Sequence, residues 1–548
     1  MKRSIPIVYI YVFLLCINAI CYFGSLYSGF VGDFSGGMWR LDTHKYWDFI
    51  SCYGFPAHEQ VSMWFFGTMY QLFGKQHIAW GCMQIALHTI NGVLVYKITQ
   101  LLLQQSTKYP SSIDMVLFPL FSSLLFCLMP YQAEVVHYKV CYNYLLTCSF
   151  LLCFVIRIIK VYQGKVSSLW IDLFIINLCY YTFEISLILP IFIIVVLIFS
   201  KLILKNRDLA HYLFQLLLLS AISFGVYFIF TYVKLGVWFG HYGGDIHGNW
   251  KPQLILSTIA KNILKIISLS RYTLSSQQEL LFQYLDNIYI VLFVFIFFSG
   301  MAWLLYTLVS TNKLLLLWGF LFFILAIVFL IPTANLYFYY LLLGQNDRYI
   351  YITLSFFSIG LVLFFYALWQ HKTMIPLLIV LCIYLPYLYK TNAYWRNSGK
   401  VYNNLTKSFP DINKPAVLLN LPDNYCGIMI FPTLTIQQSA LSDELQYVFQ
   451  RSPQHLIIDA AQYNMTSMTA SILIHKDDEL HYTISFRNWG SWWWLANKGA
   501  YSHESYFHSI EVHDYYYYLT IKEDCIGQVD FYYNDNESWQ ALQVTLPP

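Results

Sequence analysis

Long apolar runs separated by short polar joints fill the first 390 residues, and the pattern changes after that. The runs fall at about 5–24, 77–103, 113–130, 138–158, 169–183, 185–204, 210–233, 288–309, 314–332, 349–369 and 373–389. A hydrocarbon layer roughly 30 Å thick needs about 20 apolar residues in helical form. The spacing therefore predicts about eleven transmembrane helices, the fifth of them short. Trp64-Phe-Phe-Gly-Thr-Met-Tyr-Gln-Leu-Phe73, within residues 49–76, is too short to span and amphipathic enough to lie in the interface. From Lys390 onward hydropathy falls. Val417-Leu-Leu-Asn-Leu421 and the turn at Pro422-Asp-Asn424 read as strand and turn, Ser442 to Arg451 as a short helix, and Leu480 to Phe486 and Gln528 to Tyr533 as strands. The chain so read has a membrane domain, residues 1–389, with long loops at 25–76 and 234–287, and a small α+β domain, residues 390–548.

Composition agrees: 58% of residues are hydrophobic and 11% charged, against roughly 25% charged in soluble domains. Charge location gives the sidedness. Lys2, Arg3, Lys108, Arg157, Lys160, Lys165, Lys201, Lys205, Arg207, Lys313 and Lys372 fall in alternate short connections, which the positive-inside bias places in the cytoplasm. The N-terminus is then cytoplasmic, and the loop after the first helix, the turns at Pro130 and Glu184, the segments 234–287 and 333–348 and the C-terminal domain are extracytoplasmic. Most acids of the membrane part, among them Asp33, Asp42, Asp48, Glu134, Glu184, Asp245 and Asp347, lie on that outer side, and Asp114, Asp172 and Asp208 on the inner. Met1-Lys-Arg3 before an apolar run with no small-x-small site reads as a retained helix rather than a cleaved signal. The net charge of +3 and the lack of a basic cluster interleaved with aromatics give no case for nucleic acid. Cys16, Cys127, Cys148, Cys153, Cys179 and Cys382 sit in apolar runs as small core residues, whereas Cys426 and Cys525 could pair if the tail is extracytoplasmic.

Candidate chemistry gathers on the outer side. Gly29-Phe-Val-Gly-Asp33-Phe-Ser-Gly-Gly-Met-Trp-Arg40 sets an acid and a base among four glycines, which let backbone approach a ligand closely. A surface loop with a solvated Asp fits the same letters. Pro130-Tyr-Gln-Ala-Glu134-Val-Val-His137 and Tyr181-Thr-Phe-Glu184 put acids at the hydrocarbon margin, where each needs a partner or a polar cavity. A structural ion pair would meet that need too. Trp238 to Trp250 mixes Gly, His and aromatics, either to line a cavity or to anchor an interfacial loop. Ser491-Trp-Trp-Trp494 and Tyr515-Tyr-Tyr-Tyr518 suit sugar stacking or core packing alike. His88 reads as a packed helix residue.

Three of these stretches, with a fourth at Arg348, together resemble the GT-C superfamily of membrane glycosyltransferases, which take sugars from polyprenyl phosphates as protein O-mannosyltransferases do. Gly29-Phe-Val-Gly-Asp33 is similar to the family's acidic string after the first helix, and Leu128-Met-Pro-Tyr-Gln-Ala-Glu134-Val-Val to its second acidic segment, followed by a helix like Asn143 to Phe154. Phe183-Glu184 to Pro190 resembles a third string, and Arg348-Tyr-Ile-Tyr351 a late Arg-Tyr-x-Tyr entering a helix. Two departures stand out: Phe34 follows Asp33 where the family often has a second acid, and Phe183 replaces a Lys. The resemblance implies a GT-C-like fold and an inverting transfer from a polyprenyl-phosphate-linked sugar to a glycan, lipid or protein acceptor at the cell membrane.

In that reading Asp33 is the general base and Arg348 neutralises the lipid phosphate, with Arg40, His137 and Lys139 as further phosphate candidates. Glu134 and Glu184 keep the cavity polar, orient those cations or bind sugar hydroxyls. No metal ligands are assigned. The cofactor stays open: a divalent metal is possible, and Asp42 or Glu134 could supply a second carboxylate through folding. Two other classes compete. One is a transporter, flippase or assembly protein for envelope glycans, against which the absence of a clear internal repeat counts. The other is a membrane-anchored binding protein whose tail, 391–548, is the active part; a transferase core should instead keep donor binding without that tail.

Overall fold

The computed structural model describes the chain except for residues 1–5, 33, 44–58, 106–110, 166–167, 237, 239–250, 270–274, 309–311, 335–345, 432–437, 469–470, 488–490, 494–501, 514, 536–537 and 545–548. Every one of the eleven apolar segments carries a helix. Among the described residues seven helical stretches are long and apolar enough to cross a membrane, or eight if one bent pair counts as a span. The difference from eleven has physical reasons. Ile7–Cys21 and Leu169–Tyr180 are only 15 and 12 residues long. The run Asn346–Ser408 counts once although it holds two helices, Tyr351–Trp369 and Met374–Ser408, joined by the turn Gln370–Thr373. The chain is a polytopic α-helical membrane protein with a β-rich C-terminal region.

The bent pair matters most for function. Helix Asp114–Leu128 ends because Pro130 disfavours helical backbone at the residue before it, and Met129 takes φ −59° and ψ 125°. A single turn, Pro130–Gln132, and a five-residue helix, Ala133–His137, follow at 54° to the first. This elbow is wholly inside the protein, so its terminal carbonyls need donors. Gln84 in helix His77–Leu103 supplies them, its Nε2 donating to Val135 O at 3.2 Å and Tyr138 O at 2.6 Å.

Helices Lys313–Val328 and Tyr351–Trp369 approach closely through Gly319 and Gly360. A Cβ at 319 would lie 3.1 Å from the Phe364 backbone N. Tyr351 is fully buried between two hydrogen-bond partners, His88 Nδ1 at 2.8 Å and Asn91 Nδ2 at 3.2 Å. These bonds fix the start of the helix that follows Arg348, and they place His88 in the core.

The boundary expected at 389/390 falls inside helix Met374–Ser408, which runs on for nineteen residues before the first strand begins at Ala416. Lys390-Thr-Asn-Ala-Tyr-Trp-Arg396 lowers hydropathy without breaking helical periodicity. Thr391, Trp395, Ser398, Tyr402 and Leu405 remain a buried stripe. In the C-terminal region strand Ala416–Leu418 lies parallel to both Ile457–Asp459 and Asp530–Asp535, with Ser538–Leu542 antiparallel at the edge. A second sheet of five antiparallel strands includes His481–Phe486 and Tyr516–Ile521. A third joins Ile428–Met429, Leu421–Tyr425, Gln462–Met465 and Ser491–Trp493. The Tyr515–Tyr518 run is divided by strand alternation: Tyr517 is buried and donates to Leu419 O at 2.7 Å, whereas Tyr518 faces out. Cys426 and Cys525 do not pair. Their thiols lie near Thr466 O and Tyr506 O respectively, in different parts of the domain.

This region is bolted to the membrane part. Trp539 Nε1 donates to Leu405 O at 2.9 Å, Tyr402 donates to Glu444, and Lys75 Nζ bonds Tyr447 O at 2.5 Å.

Candidate active site

Glu134, on the five-residue helix of the elbow, is 2% exposed and forms an ion pair with Arg348, 16% exposed, at 2.8 Å. Its other oxygen accepts the Arg348 backbone N–H at 2.6 Å. The carboxylate thus fixes both the guanidinium and the turn that carries it. Tyr138 and Tyr349 flank the guanidinium, with their ring centroids 5.6 and 5.2 Å from its carbon. Val31, Glu134, Tyr138, Arg348, Trp395 and Met429 line a small cleft. One charged pair therefore faces largely apolar walls drawn from five separate parts of the chain.

Val31 and Gly32 border this cleft. Val31 lines it, and Gly32, at φ +86°, lies so close to Tyr138 that a Cβ there would sit 2.6 Å from the ring. The Gly32 N–H donates to Ile430 O at 3.3 Å, tying the loop to the C-terminal region. Gly29, at φ +65°, turns the chain against Asn403 of the long helix. Asp33 itself lies outside the described residues. Arg40 lies in helix Phe34–Thr43, its side chain likewise outside the described set.

The remaining candidates sit behind the cleft or away from it. His137 is buried, with Nε2 2.7 Å from Asn392 Oδ1 and its ring stacked on Trp395 at 5.5 Å, so it backs a cleft wall. Lys139 is buried and donates to Ser25 O at 2.9 Å. Among the described residues no carboxylate pairs with it. Glu184 opens the turn Glu184–Ile188, within electrostatic range of Tyr227, and is not one of the described cleft-lining residues. Trp238 stacks on Tyr232 with ring centroids 4.4 Å apart; the rest of that Gly, His and aromatic run lies outside the described residues.

Sequence reading missed Trp395, Asn392 and Met429, because a boundary at 390 assigned all three to a separate soluble domain. It also missed Lys265. Its Nζ lies 2.7 Å from Asp347 Oδ1, each side chain 1% exposed, and 5.0 Å from the Tyr131 ring centroid. The available signal was a lysine in the middle of Ile263-Leu-Lys-Ile-Ile267.

A divalent metal does not fit the described acids. Both Glu134 oxygens are engaged by Arg348, and Asp42 is held by Tyr70 at 2.5 Å and Lys75 at 2.9 Å. Among the described residues no group of three or more His, Cys, Asp or Glu side chains converges.

No family model matches the chain, and no curated protein matches it. Two solved structures similar to it are of ArnT from Cupriavidus metallidurans. The form bound to undecaprenyl phosphate shares 11% identity at a TM-score of 0.42, covering 85% of this chain and 96% of that one. The apo form shares 11% identity at a TM-score of 0.34, covering 81% and 85%.

Proposed function

We propose that the chain is a GT-C-type glycosyltransferase that moves a sugar from a polyprenyl-phosphate donor to an acceptor at the outer membrane face. The observation that supports this reading is the meeting of three family-like stretches around one cleft. Glu134 comes from the second acidic segment, Arg348 from the Arg-Tyr-x-Tyr string, and Val31 from the loop of Asp33. The outward placement of the cleft rests on the lysines and arginines of the alternate connections.

In this mechanism Asp33 takes the proton of the acceptor hydroxyl as that oxygen attacks the anomeric carbon. The bond from sugar to lipid phosphate breaks in the same displacement, so configuration inverts and no sugar–protein bond forms. Charge grows on the departing phosphate. Arg348 answers it, because a guanidinium keeps its charge and presents five N–H donors in a fork that matches phosphate oxygens. Glu134 aims that fork, and Val31, Trp395 and Met429 reduce the water around it, which strengthens each electrostatic contact.

Purified protein in liposomes containing a polyprenyl-phosphate-linked sugar, supplied with candidate acceptors, should release polyprenyl phosphate as sugar is transferred. Solute movement across the same liposomes without cleavage of the donor would replace this reading with a transporter.

A further inference from the structure

We propose that Lys265 is a positioning residue for Arg348, acting through the buried Lys265–Asp347 ion pair; this rests on the transferase reading above. Lys265 lies in the last turn of helix Pro252–Ser268, within the long loop 234–287, far in sequence from every family-like stretch. Its Nζ is 2.7 Å from Asp347 Oδ1, and both side chains are 1% exposed. Asp347 directly precedes Arg348 in the described turn 346–350.

Two adjacent residues of opposite charge are thus held by two opposite partners on two different elements: Asp347 by Lys265, Arg348 by Glu134. The four charges sum to zero, and each pair fixes the backbone on which the other depends. Lys265 also lies over Tyr131, three residues before Glu134, so one ammonium touches both sides of the cluster. A guanidinium on a long flexible stem has many rotamers. Pinning its backbone from both sides selects those that face the cleft, and an error of about 1 Å in such a group costs roughly a hundredfold in rate. Removing Lys265 would take the nearest cation away from a carboxylate that is 1% exposed, and the turn relieves that loss by moving toward solvent.

The test is a double-mutant cycle on the full-length protein in liposomes, read by sugar transfer and by hydrogen exchange over residues 346–350. Lys265→Met should slow transfer by roughly a hundredfold and speed exchange at the turn, while Lys265→Arg should stay within about tenfold of wild type. In an Arg348→Met background, Lys265→Met should add little further loss, because it works through the missing group. Full additivity would show that Lys265 acts on the donor itself or on stability, and would overturn the proposal. Unchanged exchange at 346–350 in Lys265→Met would overturn it as well. If the wild type transfers no sugar, the transferase reading fails on its own, and the exchange comparison still decides whether Lys265 fixes the turn.

Discussion

Glu134 and Arg348, 214 positions apart in the chain, are joined by two hydrogen bonds, one between side chains at 2.8 Å and one from the Arg348 backbone at 2.6 Å. The backbone bond makes Glu134 part of the turn as well as a counter-charge. Glu134→Gln should therefore cost about 3 kcal/mol of stability, since breaking a largely buried pair leaves a cation behind. Arg348→Lys keeps the charge and loses the planar fork, so it should retain the fold and lower transfer by tenfold or more. Thermal unfolding in detergent and initial transfer rates separate the two effects. An Arg348→Lys variant with wild-type transfer would show that the fork is not used.

Gly32 is the second sensitive point. Its φ of +86° and its approach to Tyr138 leave no room for a methyl group. Gly32→Ala should destabilise by more than about 1 kcal/mol and lower transfer together, because the loop before residue 33 must lift off the ring that flanks Arg348. Gly36 is the control, since a Cβ added there would meet nothing within 4 Å: Gly36→Ala should be close to neutral in the unfolding assay.

A bilayer imposes a length and an apolar character on each crossing, so the helices of the eleven apolar segments were legible from hydropathy, whereas seven or eight stretches among the described residues are long and apolar enough to cross. The elbow at Pro130 was legible as a turn, since the proline and the acid stood side by side. Its partner was not. Nothing local in Glu134 specifies a guanidinium 214 residues later, and nothing local in Ile263-Leu-Lys-Ile-Ile267 names Asp347. The parallel pairing of Ala416–Leu418 with two distant strands was equally hidden, because strand propensity carries no information on partners. Trp395 was lost for a different reason: polar residues on one face of a long helix looked like the end of the membrane domain.

Met429 brings the C-terminal region into the cleft, and Ile430 O holds the Gly32 amide. The tail is therefore part of the site rather than an appendage. Deleting residues 409–548 should abolish donor binding, in contrast to what a self-sufficient membrane core would do. Met429→Ala is the milder probe, expected to lower transfer severalfold while leaving the unfolding temperature nearly unchanged. Donor binding by equilibrium dialysis checks the first and transfer kinetics the second.

Asp423, on the strand whose carbonyl accepts the Ile430 N–H at 2.7 Å, gives a pH signature. Burial pushes its carboxyl up from 3.8 to about 7, with the Asn424 hydrogen bond working the other way. Between those values the folded protein binds a proton that the unfolded chain has released. Stability is therefore full below 3.8, falls as pH rises toward about 7, and is level above it. Asp423→Asn removes that penalty, worth at most about 4 kcal/mol, and should melt higher than wild type at pH 8 but not at pH 4. Equal gains at both pH values would assign the effect to something other than the carboxylate.

The central claim is that Asp33 removes the acceptor proton in a cleft governed by Arg348. The most direct test is the rate of sugar transfer from a radiolabelled polyprenyl-phosphate donor by Asp33→Asn protein in liposomes, beside wild type of matched unfolding temperature. At least a hundredfold loss is expected in the variant, as removal of a general base produces. Transfer at the wild-type rate would contradict the claim.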